Sequence, residues 1–410
     1  MGFFSSGKNK VRYGALIDIG SGSVLTSIVA SDPTKTHPDI IWSKREYTPL
    51  RKIRAVSDNA KSVMTSLMNA LMSLDGEGRT TLSEKCGPKK ISSVQVTVAA
   101  PWSYTATKTI TYQNEEEFDV TDTLVTELLR TAQKKVEEEM LENEKVHELG
   151  LSIVARTTIQ VIANGYPIQV TGTQKAKSIK VIEASAVVQE YLIDAVTEAQ
   201  EKIFSGSTLT QYSFMLPYYA TLSNLIQPTA DFCLVDITYE STEIGIVRDG
   251  ILTYCTHTPY GSFSIAREIA EALSIPLEEA YGYLTCDDMT CFVTQSSTAQ
   301  QDEINKILKA YHQRISELFK ETGDTLSIPK KIYLHGNLET EPFFNDHILK
   351  AASMTTKMPH AAYNVSVELL GRHYTPEEVT AFKALGSDTA LLISAQFFHT
   401  QALHHKFEQL

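Results

Sequence analysis

Asp18 to Ser27 reads DIGSGSVLTS, and Asp236 to Glu243 reads DITYESTE. Each stretch follows an apolar run, GALI before the first and FCLV before the second, and each leads into another, VLTSIVA and IGIV. The pattern is a strand ending in Asp, a tight turn and a second strand. A dinucleotide-binding reading of the first stretch would require a third glycine and then a helix, but VLTSIVA is rich in β-branched residues. Two half-chains that each open with an Asp-headed β-hairpin outline an internal duplication, and no short repeat of solenoid type is visible.

The chain has 410 residues, too many for one ordinary core, and 42% of them are hydrophobic, enough to fill two. A net charge of −12 argues against a sequence-independent grip on nucleic acid or anionic lipid. Cys86, Cys233, Cys255, Cys286 and Cys291 are odd in number and scattered, which points to reduced thiols in a cytosolic compartment. Cys286 and Cys291 lack the second ligand pair a zinc site needs. No apolar stretch approaches the ~18 residues of a spanning helix, and the N-terminus lacks the apolar core of a signal peptide. Gly2 and Ser6 match a short acylation pattern, which chance explains as well.

Val63, Leu67, Leu71 and Leu74 recur at helical spacing and predict an amphipathic helix over 55–74, followed by an exposed loop, EGRTTLSEKCGPKK. Beyond it, ISSVQVTVAAPWSYTATKTITY predicts two strands broken at Pro101. Thr121 or Asp122 caps a charged helix, and NGYP marks a hairpin turn before the strand AKSIKVIEASAVV. These elements form a compact αβ insert over 88–187, flanked by a helix at 188–204. The second half repeats strand, turn and strand, with RDG turning into a third strand. Helices follow, then a polar stretch at 287–301, a long helix at 302–322, the buried strand PKKIYLHGNL, and two helical segments around Gly386.

Facing hairpin turns can clamp a polyphosphate, because their N–H groups point at anionic oxygens and glycine lets the backbone come close. An Asp at each strand end can hold Mg²⁺ through water. DIGSGS offers Asp18 for the metal and Gly20, Ser21, Gly22 and Ser23 for phosphate. DITYESTE keeps Asp236, Ser241 and Thr242, but sets Thr238, Tyr239 and Glu240 where close approach wants glycine. Those side chains would crowd a phosphate, and Glu240 would repel it.

The order of these elements, with TPYGSFSIAREIA after the second hairpin and IYLHGN as the late strand, resembles the actin-like ATPase superfamily, in particular its bacterial FtsA and PilM branch. The likeness extends over nearly the whole chain. It implies a two-lobed, duplicated ribonuclease-H-like α/β fold, with the first lobe at 1–87 and 188–228, the insert at 88–187 and the second lobe at 229–410. It implies ATP and Mg²⁺ as cofactors, with Asp18, Gly20, Ser21 and Ser23 in the first phosphate loop and Asp236 and Thr242 in the second. Gly261 would stand at the turn after that loop, and Gly336 with Asn337 at the adenosine turn. Two departures stand out: the second loop lacks glycines, and the late Gly-Gly is replaced by HGN. They imply weak or lost ATP binding, and no residue matches a water-activating Gln or Glu.

The resemblance further implies a cytoplasmic scaffold, peripheral at the inner membrane, working through protein contacts. Its partners would be a division-ring tubulin homologue or pilus alignment proteins, with self-association and no nucleic acid. Chain length and the polar segment of the second lobe favour the FtsA role; AAPWS and the missing membrane helix favour the PilM role. An active ATPase or sugar-kinase-like enzyme is the rival from another class, and a ligand-free protein whose Asp18 and Asp236 cap turns is the third reading. His335 reads as a strand-end residue satisfied by neighbours, the acidic helix as a solvated or partner-binding face, and His399, His404 and His405 as solvated.

Overall fold

The computed structural model describes residues 11–49, 56–142, 150–169, 174–227, 229–285, 297–321, 328–337, 339–356, 358–365, 389–404 and 408–409. Two five-stranded sheets repeat one plan. In the first, β1 (Arg12–Ile19), β2 (Ser23–Ser31), β3 (Asp39–Tyr47), β4 (Ser93–Val98) and β9 (Thr208–Ser213) lie in the order β3-β2-β1-β4-β9. β1 runs antiparallel to β2 and parallel to β4. In the second, β10 (Phe232–Ile237), β11 (Thr242–Arg248), β12 (Ile251–Thr258), β13 (Lys331–His335) and β14 (Ala361–Asn364) lie in the order β12-β11-β10-β13-β14, with the same directions around β10. The duplication read from the two Asp-headed hairpins is therefore a duplication of whole sheets.

Helices on both faces explain why the first strand of each sheet is apolar throughout rather than alternating. Ile17 and Ile28 pack with Val63, Leu67 and Leu71 of α1 (Val56–Ser73) on one face. Leu16, Leu25 and Val29 pack with Leu391, Ala395 and Phe398 of the last helix, Thr389–His404, on the other. In the second lobe, Val235, Ile244 and Leu334 share a core with Ile265 and Ile269 of the helix Ser262–Leu273 and Ile315 of the helix Thr298–Lys320.

A third sheet is built from β5 (Ser103–Val120), β6 (Leu151–Ala163), β7 (Tyr166–Ile168), β8 (Gln174–Gln189) and β15 (Glu408–Gln409). The NGYP turn forms as read, with Asn164 and Gly165 both at positive φ, 49° and 84°, as a two-residue hairpin loop requires. Thr121 caps the charged helix Asp122–Glu142 by accepting the Leu124 N–H at 3.2 Å. That helix turns some of its acids back onto its own sheet, where Glu139 pairs with Lys108 and Glu137 with Arg156.

Several expectations differ from what forms. The loop expected at 77–90 is helical to Cys86, as a π turn (Leu74–Gly78) and then Arg79–Cys86 extend α1. Gly78 is there for packing: a Cβ would lie 3.0 Å from Trp42 and 3.1 Å from Ile28, so the glycine admits the helix against the sheet. The strand at 93–98 belongs to the first sheet, not to the insert's, because it pairs in parallel with β1 and β9. The last helix crosses back onto the first lobe, where the Phe398 ring lies so close to Gly14 that a Cβ there would meet it at 2.3 Å. His399 is buried rather than solvated, its ring nitrogens 2.8 Å from Ser31 Oγ and 3.1 Å from the Lys35 carbonyl. The acylation pattern at Gly2, both Cys286 and Cys291, the TPEE cap, Gly386, His405 and the side chain of His404 lie outside the described residues. Among the described residues no helix is long and apolar enough to cross a membrane.

Candidate functional site

β1 and β10 end side by side at the cleft between the lobes, and the turns that follow them face each other. A cavity of about 300 Å³ lies there, lined by Asp18, Gly20, Ser21 and Ser23 from the first lobe and by Asp236, Tyr239, His335, Gly336 and Asn337 from the second. Seven of these, Asp18, Gly20, Ser21, Ser23, Asp236, Gly336 and Asn337, are candidates from the sequence and converge here, whereas Tyr239 and His335 are added by the fold. Ser241, Thr242 and Gly261 sit behind the second turn instead. The Ser241 hydroxyl donates to the Thr258 carbonyl at 2.8 Å and that of Thr242 to the Tyr260 carbonyl at 2.9 Å, so both tie the hairpin to the next strand. At Gly261 a Cβ would meet the Thr238 carbonyl oxygen at 2.3 Å, so this glycine lets the following helix close onto the turn.

The two turns touch each other. The Ser21 hydroxyl accepts the Glu240 backbone N–H at 2.9 Å. The Tyr239 ring lies on Gly22, where a Cβ would meet it at 2.2 Å. Gly22 thus serves a protein ring rather than a phosphate in this arrangement. Tyr239 packs on Phe263 with centroids 4.2 Å apart, and its hydroxyl accepts from Asn337 Nδ2 at 3.1 Å. Burial pushes the Tyr239 phenol far above its ordinary value. Three amides of the second turn are committed within the protein: Thr238 N–H to Ser241 O, Ser241 N–H to Thr238 Oγ1, and Glu240 N–H to Ser21.

The AAPWS segment bridges both turns. Ala99 N–H donates to the Ile19 carbonyl, Trp102 Nε1 donates to the Gly20 carbonyl at 3.2 Å, and the Thr238 hydroxyl donates to the Ala100 carbonyl at 3.0 Å. The start of the insert is therefore fastened to both loops at once.

Each acidic residue of the loops has a basic or hydrogen-bonding partner. Asp18 accepts from the Thr97 hydroxyl at 2.7 Å on Oδ1, and its Oδ2 lies 3.7 Å from an Arg45 guanidinium nitrogen. Asp236 Oδ1 is 2.7 Å from His335 Nδ1, whose ring packs against Phe214 at 4.9 Å. Glu240, expected to face an incoming phosphate, forms a two-pronged pair with buried Arg267, Oε1 accepting from Nη1 at 2.9 Å. The repulsion expected of Glu240 is thereby compensated.

Glu243, next to Asp236 across the β10/β11 pair, was not singled out by sequence reasoning. It is 1% exposed, and burial first, then the Asp236 charge, pushes its carboxyl up to about 8. It accepts the Thr105 N–H at 3.4 Å from the insert. With His257 on β12 and His335 on β13 it forms a row of ionisable side chains across four strands. Arg45 and Arg267 were missed as well. Arg45 alternates on β3 with no motif around it, and Arg267 sits on the polar side of an ordinary amphipathic helix; only long-range contacts reveal them.

A Mg²⁺ ion does not fit this donor set. Asp236 presents one oxygen to His335 and buries the other without a partner or access to water, whereas a hard cation held through its hydration shell needs exposed oxygens. Asp18 faces a guanidinium that would repel the ion. Among the described residues no group of three His, Cys, Asp or Glu is placed to hold a metal.

The paired sheets, the helices on their faces, the insert and the cleft between Asp-headed turns define a two-lobed protein of actin-like fold. A chain of a PilM–PilN type IV pilus biogenesis complex is similar over 95% of this chain and 98% of its own, with a TM-score of 0.54 and 14% identity. An ethanolamine utilization protein EutJ from Carboxydothermus hydrogenoformans aligns over 94% and 89%, with a TM-score of 0.43 and 12% identity. A Bacteroides thetaiotaomicron protein with actin-like ATPase fold aligns over 94% and 100%, with a TM-score of 0.41 and 8% identity. No family model and no curated protein sequence matches the chain.

Proposed function

We propose that this chain is a scaffold of actin-like fold that works through protein contacts and does not turn over ATP. The observation that carries the proposal is the closure of the clamp by the protein itself, with Ser21 bound to the Glu240 amide and Tyr239 laid on Gly22. Polyphosphate cannot enter between turns that bond to each other, and a scaffold needs the two lobes fixed rather than cycling. The likeness to a chain of the PilM–PilN type IV pilus biogenesis complex supports a role beside pilus assembly proteins. A role of the FtsA kind at the division ring is the competing assignment. Deleting the gene distinguishes them: loss of pili with normal septation supports the first, filamentous cells the second. The scaffold reading itself is tested by ATP turnover with Mg²⁺. Phosphate release at the no-protein background is expected, and a turnover abolished by Asp18→Ala would overturn it.

A further inference from the structure

Away from the cleft, a second cavity of about 380 Å³ opens at the other end of the first sheet. β4 and β9 run parallel, with Ser93 opposite Thr208 and Val98 opposite Ser213. Ala99 and Phe214, just beyond their ends, line the cleft, whereas Lys89, Lys90 and Ile91, before β4, and Phe204, before β9, line this second cavity. Strands of six residues set the two sites about 20 Å apart. The loops that frame the second cavity are held in place. Gly87 ends the helix Arg79–Cys86 at φ 76°, and Gly206 turns at φ 74° after the helix Glu190–Ile203. The Thr208 N–H donates to the Ser92 carbonyl at 3.1 Å and keeps the two loops side by side.

The floor of this cavity is apolar and its rim is basic. Leu82, Ile91 and Phe204 are buried and supply the apolar surface. Lys89 and Lys90 are exposed at the rim, and among the described residues neither is paired with a carboxylate. Arg79 is fixed beside them: its Nε pairs with Asp75 at 2.7 Å, its Nη2 donates to the Ile203 carbonyl, and its guanidinium lies 5.3 Å from the Phe204 ring centroid. These contacts leave the donors on Nη1 available. Among the described residues no acidic side chain lines the cavity, although the chain as a whole carries a net charge of −12.

We propose that this cavity docks an acidic peptide segment of a partner protein. One apolar side chain of the segment sits on Leu82, Ile91 and Phe204, and flanking carboxylates meet Lys89, Lys90 and Arg79. Such a contact rests on the reading of the chain as a scaffold, and it is separate from the clamp. A basic rim alone suits any anion, but a free phosphate makes no use of the apolar floor. An anionic bilayer is too flat to reach a recessed floor, and it would meet Glu84, Glu198 and Glu201, exposed on the two helices beside the rim. A short peptide avoids those carboxylates, because none of them lines the cavity.

The test is selection of a random peptide library displayed on phage against the full chain, followed by fluorescence anisotropy with the fluorescein-labelled winning peptide. Winners are expected to carry Asp or Glu on both sides of an apolar residue, and their binding is expected to weaken with added NaCl. Lys89→Glu combined with Lys90→Glu is expected to raise the Kd by about tenfold or more, since like charges across a contact oppose binding. Ser205→Trp, which fills the cavity from its exposed wall without changing charge, is expected to do the same. Winners without acidic residues, or a Kd unchanged in both variants, would overturn the proposal. So would phosphatidylglycerol vesicles that bind through the same lysines while no peptide is retained. A failed selection leaves the scaffold reading standing, because that reading falls only if ATP is turned over.

Discussion

Glu240 and Arg267 illustrate how one residue's role depends on a partner 27 positions away. In the sequence Glu240 is a negative charge in a phosphate loop; in the fold it is half of a buried ion pair, the two side chains 12% and 6% exposed. Removing one member of such a pair leaves an uncompensated buried charge, at a cost of about 3–5 kcal/mol, whereas removing both is far milder. Arg267→Ala is therefore expected to lower the urea midpoint sharply, and Glu240→Gln in the same chain to restore much of it. If the double variant is as unstable as the single one, the pair is not what holds the turn. Gly22 makes the same point by sterics. Its neighbour in space is Tyr239, and nothing in DIGSGS announces a ring from the other lobe.

At the scale of elements, the strand register sets a row of ionisable groups that no single strand encodes. Asp236 and Glu243 face each other on β10 and β11, with His335 and His257 beyond them, and Cys255 and the Thr105 amide pack nearby. Like charges directly opposite on adjacent strands are unfavourable, so Glu243 is held protonated in the fold, with its carboxyl raised to about 8 by burial and by Asp236. The unfolded chain releases this proton near its ordinary value of 4.5. Between those values the folded state binds more protons than the unfolded, so this contribution is fully present below pH ~4.5 and is lost as pH rises toward ~8. Glu243→Gln is expected to remove a slope of roughly 1 kcal/mol per pH unit. Urea unfolding of both proteins at several pH values checks it, and parallel pH profiles would refute it.

For the whole molecule, the decisive contacts are those between lobes and insert. Ser21 to Glu240, Trp102 to Gly20 and Thr238 to Ala100 tie the two turns and the insert into one closed unit. Ser21→Ala removes the acceptor of the Glu240 amide. Exchange of that amide with solvent is then expected to speed up by about fivefold, the effect of losing a hydrogen bond worth about 1 kcal/mol. Unchanged protection at Glu240 would mean that the lobes are held shut elsewhere. The last helix contributes to the same unity by crossing from the second lobe to pack Phe398 on Gly14.

The sequence by itself determined the repeated sheets, because a run of apolar, β-branched residues ending in Asp and a turn carries its own local physics twice over. It also determined the αβ insert's helix cap and hairpin turn, where Thr121 and the Asn164–Gly165 pair act within a few residues of themselves. The helix over 77–86 escaped it, since Gly78 looks like a breaker until Trp42 and Ile28 are seen against it. Tertiary structure alone decided what the cleft is. Whether Asp18 and Asp236 meet a metal or a side chain depends on Arg45 and His335, which reach them from other strands. Whether the clamp is open depends on Tyr239 and Ser21, which reach across from opposite lobes. Local propensity has no knowledge of distance between lobes, and that distance is what closes the site.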